Sequence, residues 1–134
     1  MKILNQDPPH GLREKCEHHF DLNGTEPVFT YGDTIYNPYS ADIDESLFAH
    51  EATHTEQQGE DPEGWWVRYF KEPEFRFEQE LQAYRVQYRV IKTLMKDRNR
   101  AAQMLVKIAS DLSSPMYGSM CSLREAKKQI QEGI

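Results

Sequence analysis

The sequence predicts a mostly helical α+β domain with one small antiparallel β-hairpin placed ahead of the helix that carries the chemistry. Three observations lead there. Apolar residues recur at helical spacing over two long stretches, from Phe77 to Leu94 and from Ala101 to Leu112. β-Branched and aromatic residues gather on both sides of Gly32-Asp33. His50-Glu51-Ala52-Thr53-His54 then sets two histidines four positions apart within a helical segment. No internal repeat, low-complexity tract or linker interrupts the chain, so residues 1–134 read as one domain.

Each element has a local reason. Asp7-Pro8-Pro9 signals a helix start, and Leu12, Cys16 and Phe20 follow at i, i+4 and i+8, so a first helix is expected to end near Asp21. Val28-Phe29-Thr30-Tyr31 and Thr34-Ile35-Tyr36 flank a Gly-first two-residue loop, the pattern of a type II′ hairpin. A hairpin this small is unstable alone and must lie against helices. Asp42 and Glu45 form an expected capping pair for a helix from about Ile43 to Gln58, closed by Gly59. Asp61-Pro62 opens a short helix through Trp65, Trp66, Tyr69 and Phe70, and Pro73 opens a long one. Arg98 to Leu112 repeats the apolar pattern until Ser113-Ser114-Pro115 breaks it, and Ser122 with Glu125 caps a last short helix.

Composition narrows the function. No run approaches the roughly 18 apolar residues of a membrane span, and the N-terminus lacks the apolar stretch of a signal peptide. Cys16 and Cys121 make no disulfide framework and read as reduced thiols, so a cytoplasmic protein is expected. The net charge of −6 is uneven: residues 1–80 carry 6 Lys/Arg against 18 Asp/Glu, residues 81–134 carry 10 against 4. The plain reading is two solvated faces that attract each other. The sharper one is a basic stripe, Arg85, Arg89, Lys92 and Lys96, that meets an acidic partner. Nucleic acid is not expected as a partner, because the acidic half would repel phosphate.

Spacing of i and i+4 puts the His50 and His54 imidazoles on one helix face, where both can reach one metal ion. Glu51, beside the first, is placed to take a proton from water held there. Two histidines hold zinc poorly, and a catalytic site has three protein ligands and one open position. No histidine follows His54, so the third ligand must be a carboxylate. Glu72, Glu74, Glu78 and Glu80 are all candidates. Structural zinc favours four ligands, often thiolates, and neither cysteine lies near the motif in sequence.

The motif, followed by Glu80-Leu81-Gln82-Ala83, resembles the gluzincin zinc peptidases, in which a second helix supplies a glutamate in an E-x-x-A setting. The wider run is similar to small phage- and prophage-encoded metallopeptidases of the minigluzincin type. It spans roughly residues 26–130 through Tyr31–Tyr36, Gln57-Gln58, Trp65–Tyr69, Glu78–Tyr84 and Leu112–Gly118. The resemblance implies a minimal zincin core, with a hairpin packed on the active-site helix and a long ligand helix. It makes Glu80 the third ligand, Glu78 the fallback, and Ala83 the small residue that lets the two helices approach. Many gluzincins carry an acid four positions after the ligand glutamate. This chain has Tyr84 there, and its hydroxyl is the expected partner of an imidazole.

The leading expectation is a zinc-dependent peptide hydrolase acting on a peptide or protein, with Glu51 as general base. An extended substrate is expected to pair with the edge Thr34-Ile35-Tyr36. Tyr117 reads either as a packed turn residue or as the donor that stabilises the oxyanion. Trp65, Trp66, Tyr69 and Phe70 read mainly as packing, and His10, His18 and His19 as residues that ligate nothing. With no propeptide in evidence, narrow specificity or weak general activity is expected. The competing expectation is a non-catalytic phage-encoded binding or structural module that keeps the metal helix as scaffold. Its cleft could be filled by its own side chains.

Overall fold

The computed structural model describes residues 1–133. In chain order these form β1 (Lys2–Leu4), α1 (Leu12–His19), β2 (Phe29–Tyr31), β3 (Thr34–Tyr36), α2 (Glu45–Gln58), α3 (Pro62–Lys71), α4 (Pro73–Leu94), α5 (Arg98–Leu112), a 3-10 turn (Pro115–Tyr117) and α6 (Leu123–Glu132). The Asp61, Asp97 and Ser122 side chains accept backbone N–H groups of the first turns of α3, α5 and α6. Two starts differ from expectation. α2 is capped by Asp44, whose carboxylate accepts Leu47 N–H at 2.8 Å and the Ser46 hydroxyl at 2.8 Å, so the cap falls two residues after Asp42. α1 begins only at Leu12, because His10 and Gly11 both take left-handed φ values, 61° and 64°, that a right-handed helix cannot include.

The hairpin forms as expected, with Tyr31 opposite Thr34 and Gly32 at φ 63°. The sheet around it is larger than the sequence suggested. β1 runs parallel to β3 with Ile3 opposite Ile35, giving the strand order β1-β3-β2. Lys2 N–H donates to Asp33 O and Asn37 N–H to Leu4 O, extending that pairing at both ends. Thr34, Ile35 and Tyr36 therefore form the central strand, and both of its backbone edges are used. The expectation that this strand receives a substrate is corrected: the outer edge it would need is filled by β1.

Two apolar clusters hold the helices. Leu81, Tyr88 and Ile91 of α4 pack with Leu105, Ile108 and Leu112 of α5 and Ile130 of α6. Leu12 and Cys16 of α1 pack with Phe29 of β2, flanked by Phe20, Trp66 and Phe70. Between them α2 lies along α4, with Ala83 fully buried. The uneven charge is handled locally. The Lys and Arg ion pairs among the described residues, such as Arg13–Asp7, Arg68–Glu72 and Lys107–Asp111, stay within one half of the chain. Two members of the basic stripe instead meet the carbonyl end of α6: Arg85 donates to Gln129 O at 2.9 Å and Arg89 to Gly133 O at 3.3 Å. No described helix is long and apolar enough to cross a membrane.

Candidate metal centre

His50, Glu51, His54 and Gln58 share the buried face of α2, and Glu80 faces them from α4. Helix spacing does this: positions 50, 51, 54 and 58 are separated by one, four and eight residues from the first, so they fall on one side. Glu80 Oε1 lies 3.1 Å from His50 Nε2 and 3.0 Å from His54 Nε2, and the two Nε2 atoms are 3.2 Å apart. A tetrahedrally bound ion with bonds of about 2.0–2.1 Å would set its ligand atoms about 3.3 Å apart. The triangle is close to that size, and these three residues form a group that can hold a metal ion. Glu78, two positions from Glu80 and so turned to the other side of the helix, is exposed, as are Glu72 and Glu74.

The hydrogen bonds behind the imidazoles decide what faces the centre. His50 Nδ1 lies 3.0 Å from Gln87 Oε1, and His54 Nδ1 lies 2.7 Å from Gln57 Oε1. An amide oxygen only accepts, so each Nδ1 carries the proton and donates it. The Gln57 amide is fixed in this sense because its Nε2 donates to Gln79 O at 3.0 Å and to Gln82 Oε1 at 3.1 Å. In the neutral rings both Nε2 atoms are then bare lone pairs aimed at a carboxylate oxygen. Three acceptors this close need a cation among them, either a proton or a metal. Without a metal the proton takes that place. Burial alone would lower the His54 imidazole, but the Glu80 carboxylate outweighs it and lifts the ring to about 9. Burial would likewise raise Glu80, yet the two imidazoles reverse this and hold its carboxyl far below the usual range.

The hydrogen bond expected from Tyr84 to an imidazole does not form. The Tyr84 ring packs edge-on against His50 with centroids 4.4 Å apart, while its hydroxyl bonds the Tyr117 hydroxyl at 2.9 Å. The orienting partner is Gln87, one turn further along α4, and its place seven residues after Glu80 on the same face was the available signal. Gln57 and Tyr69 were also missed. Tyr69 donates its hydroxyl to Glu80 Oε2 at 2.6 Å. Burial, and then the charge of Glu80, push the Tyr69, Tyr84 and Tyr117 phenols well above their ordinary value, so all three keep their protons.

A cleft of about 550 Å³ opens onto the centre. His50, Glu51, His54, Glu80, Tyr84 and Tyr117 all border it, whereas Thr34, Ile35 and Tyr36 do not; the wall beside the hairpin comes from Pro27 to Thr30. Glu51 Oε2 is 3.9 Å from His50 Nε2. Burial raises its carboxyl, an effect the two neighbouring imidazoles partly offset. Trp65 packs against His54 and Trp66 against Trp65, as expected, and both also border the cleft. Cys16 borders it too, but burial lifts its thiol to about 12, which makes it a poor ligand. His19 stacks on Phe70 and His10 lies against Tyr31, and neither is among the residues that border the cleft. Among known proteins, no protein-family model, curated protein or solved structure matches the chain.

Proposed function

We propose that the protein is a zinc-dependent peptide-bond hydrolase of the gluzincin type, with His50, His54 and Glu80 as ligands and Glu51 as general base. The observation that carries this reading is the convergence of two imidazole lone pairs and one carboxylate oxygen at the floor of an open cleft. Bound zinc supplies Lewis acidity, polarising a carbonyl and making water a better nucleophile near neutral pH. The chain supplies the rest. Glu51 accepts the proton of the attacking water and returns it to the leaving amine nitrogen. Its carboxylate, 3.9 Å from His50 Nε2 and bordering the cleft, is placed for both transfers. The protonated Tyr117 hydroxyl, held by Tyr84, donates to the substrate oxygen as negative charge grows there.

An extended peptide would pair with β2 rather than β3, and only at its Val28 end, because the Gln58 amide already bonds Thr30 O and Gly32 N–H along that edge. Phe29 and Tyr31 pair with β3, so the alternating pattern turns the backbone groups of Val28 and Thr30 outward, along the cleft wall. Thr30 O is already used by Gln58 and Trp66, leaving Val28 and the Thr30 N–H for a substrate. A non-catalytic module would tolerate a cleft filled by its own side chains, and the open space beside Glu51 supports the hydrolase instead.

Replacing Glu51 with Gln is expected to lower peptide hydrolysis about 10²–10⁴-fold while zinc content stays the same. A variant that cleaves as fast as the unaltered protein would overturn the assignment of Glu51.

A further inference from the structure

We infer that Tyr69 restricts Glu80 to a single ligand oxygen, and that Arg76 is the positioning residue that holds Tyr69 there; the inference rests on the metal reading above. The two Glu80 oxygens have different neighbours. Oε1 faces both imidazoles, at 3.1 and 3.0 Å, and Oε2 accepts the Tyr69 hydroxyl at 2.6 Å. An O–H···O⁻ bond of that length belongs to the strong, charge-assisted class. For Glu80 to give both oxygens to one ion, its carboxylate would have to swing Oε2 toward the imidazoles, which stretches or bends its bond to Tyr69. The phenol therefore favours one-oxygen ligation. Three protein atoms then leave a position vacant for water, as hydrolysis needs and a structural site does not.

Tyr69 cannot readily follow a turning carboxylate. Its ring is 4% exposed, stacked on Trp65 with centroids 5.0 Å apart and edged by Trp66 at 4.9 Å and Phe20 at 5.9 Å. Its backbone is tied as well. Arg76, itself buried, donates Nη1–H to Tyr69 O at 2.7 Å and Nε–H to Tyr117 O at 3.1 Å, with its guanidinium 5.0 Å from the Phe20 ring centre. One side chain at the start of α4 thus fixes the end of α3 and the 3-10 turn, the two segments that carry the site's outer tyrosines. Its hydrogen-bond acceptors here are backbone carbonyls rather than carboxylates, which suits a clamp better than an ion pair.

The test uses the full chain loaded with Co²⁺ in place of zinc, comparing the unaltered protein with Tyr69→Phe and Arg76→Lys. The unaltered protein should show the intense visible bands of four-coordinate cobalt. Tyr69→Phe should lose intensity severalfold as the freed oxygen raises the coordination number, and Arg76→Lys should fall between them. Infrared spectra of the zinc form of the unaltered protein, with ¹³C-labelled glutamate, give a second reading that needs no variant. The wide carboxylate splitting of one-oxygen ligation is expected. A narrow, chelate-type splitting, or a Tyr69→Phe cobalt spectrum identical to that of the unaltered protein, overturns the inference and leaves the metal reading standing. An unaltered protein that takes up neither ion removes both.

Discussion

From Arg76 to Gln87, α4 turns Arg76, Glu80, Tyr84 and Gln87 inward, against α2, α3 and the turn at Tyr117. From Tyr88 onward the same helix buries Tyr88 and Ile91 against the apolar faces of α5 and α6. The first region carries a buried polar network beside Leu81, which joins the apolar cluster, and the second is packed core alone. A buried polar group is costly unless it finds a partner, and each of these does: Arg76 in two carbonyls, Glu80 in two imidazoles and a phenol, Tyr84 in Tyr117, Gln87 in His50. The apolar region gains about 1.5–3 kcal/mol for each large side chain fully buried, and holds the helix that the polar region needs. The polar network is thus confined to the first stretch of the helix while apolar packing runs through both, and damage to the network or to the packing should have a different signature.

Ile130→Ala attacks the apolar region. Ile130 is fully buried in the cluster of α4, α5 and α6. Chemical denaturation should show a loss of about 2–5 kcal/mol, with zinc content per folded chain unchanged. Gln87→Leu attacks the polar region: it removes the acceptor that fixes His50 Nδ1, and zinc affinity measured by competition with a chelator should fall about 10–100-fold. Thermal stability of the metal-free form should change far less than in Ile130→Ala.

A pH series sharpens the same contrast. In the metal-free protein the folded-state value of His54 is raised from 6.5 to about 9. A raised imidazole adds stability that is fully present below about 6.5 and is lost as pH climbs through about 9. Denaturation of chelator-treated protein should therefore show declining stability across that window. Zinc binding competes with protons for the same nitrogens, so zinc affinity should rise over the same window. The smallest effect is expected from Glu78→Gln, on the exposed side of α4, where stability should move by less than about 0.5 kcal/mol and zinc affinity should not change.

What the sequence made legible was local. α5 begins at Arg98 and ends at Leu112 as the apolar repeat and the Ser-Ser-Pro break predict, and the hairpin turns at Gly32-Asp33. The His50–Glu51–His54 constellation was equally readable, because helix geometry alone puts the two rings together. What was hidden depended on contacts distant in sequence. β1 is three exposed residues with no alternating pattern, and only its pairing with β3 makes it a strand. That single strand fills the edge of Thr34–Tyr36 that the sequence leaves open. Gln57, Gln87 and Tyr69 are unremarkable in composition, and become significant only once α2, α3 and α4 bring them against the ligands. Tyr84 was assigned to the imidazole by position, but its hydroxyl points to Tyr117 because its ring is already occupied by packing on His50.

The most direct measurement is a crystal structure grown with zinc, with anomalous scattering recorded on both sides of the zinc absorption edge. The account predicts one strong peak per chain, bounded by His50 Nε2, His54 Nε2 and Glu80 Oε1 and facing the cleft. An absent peak, or one bound elsewhere on the chain, would contradict it.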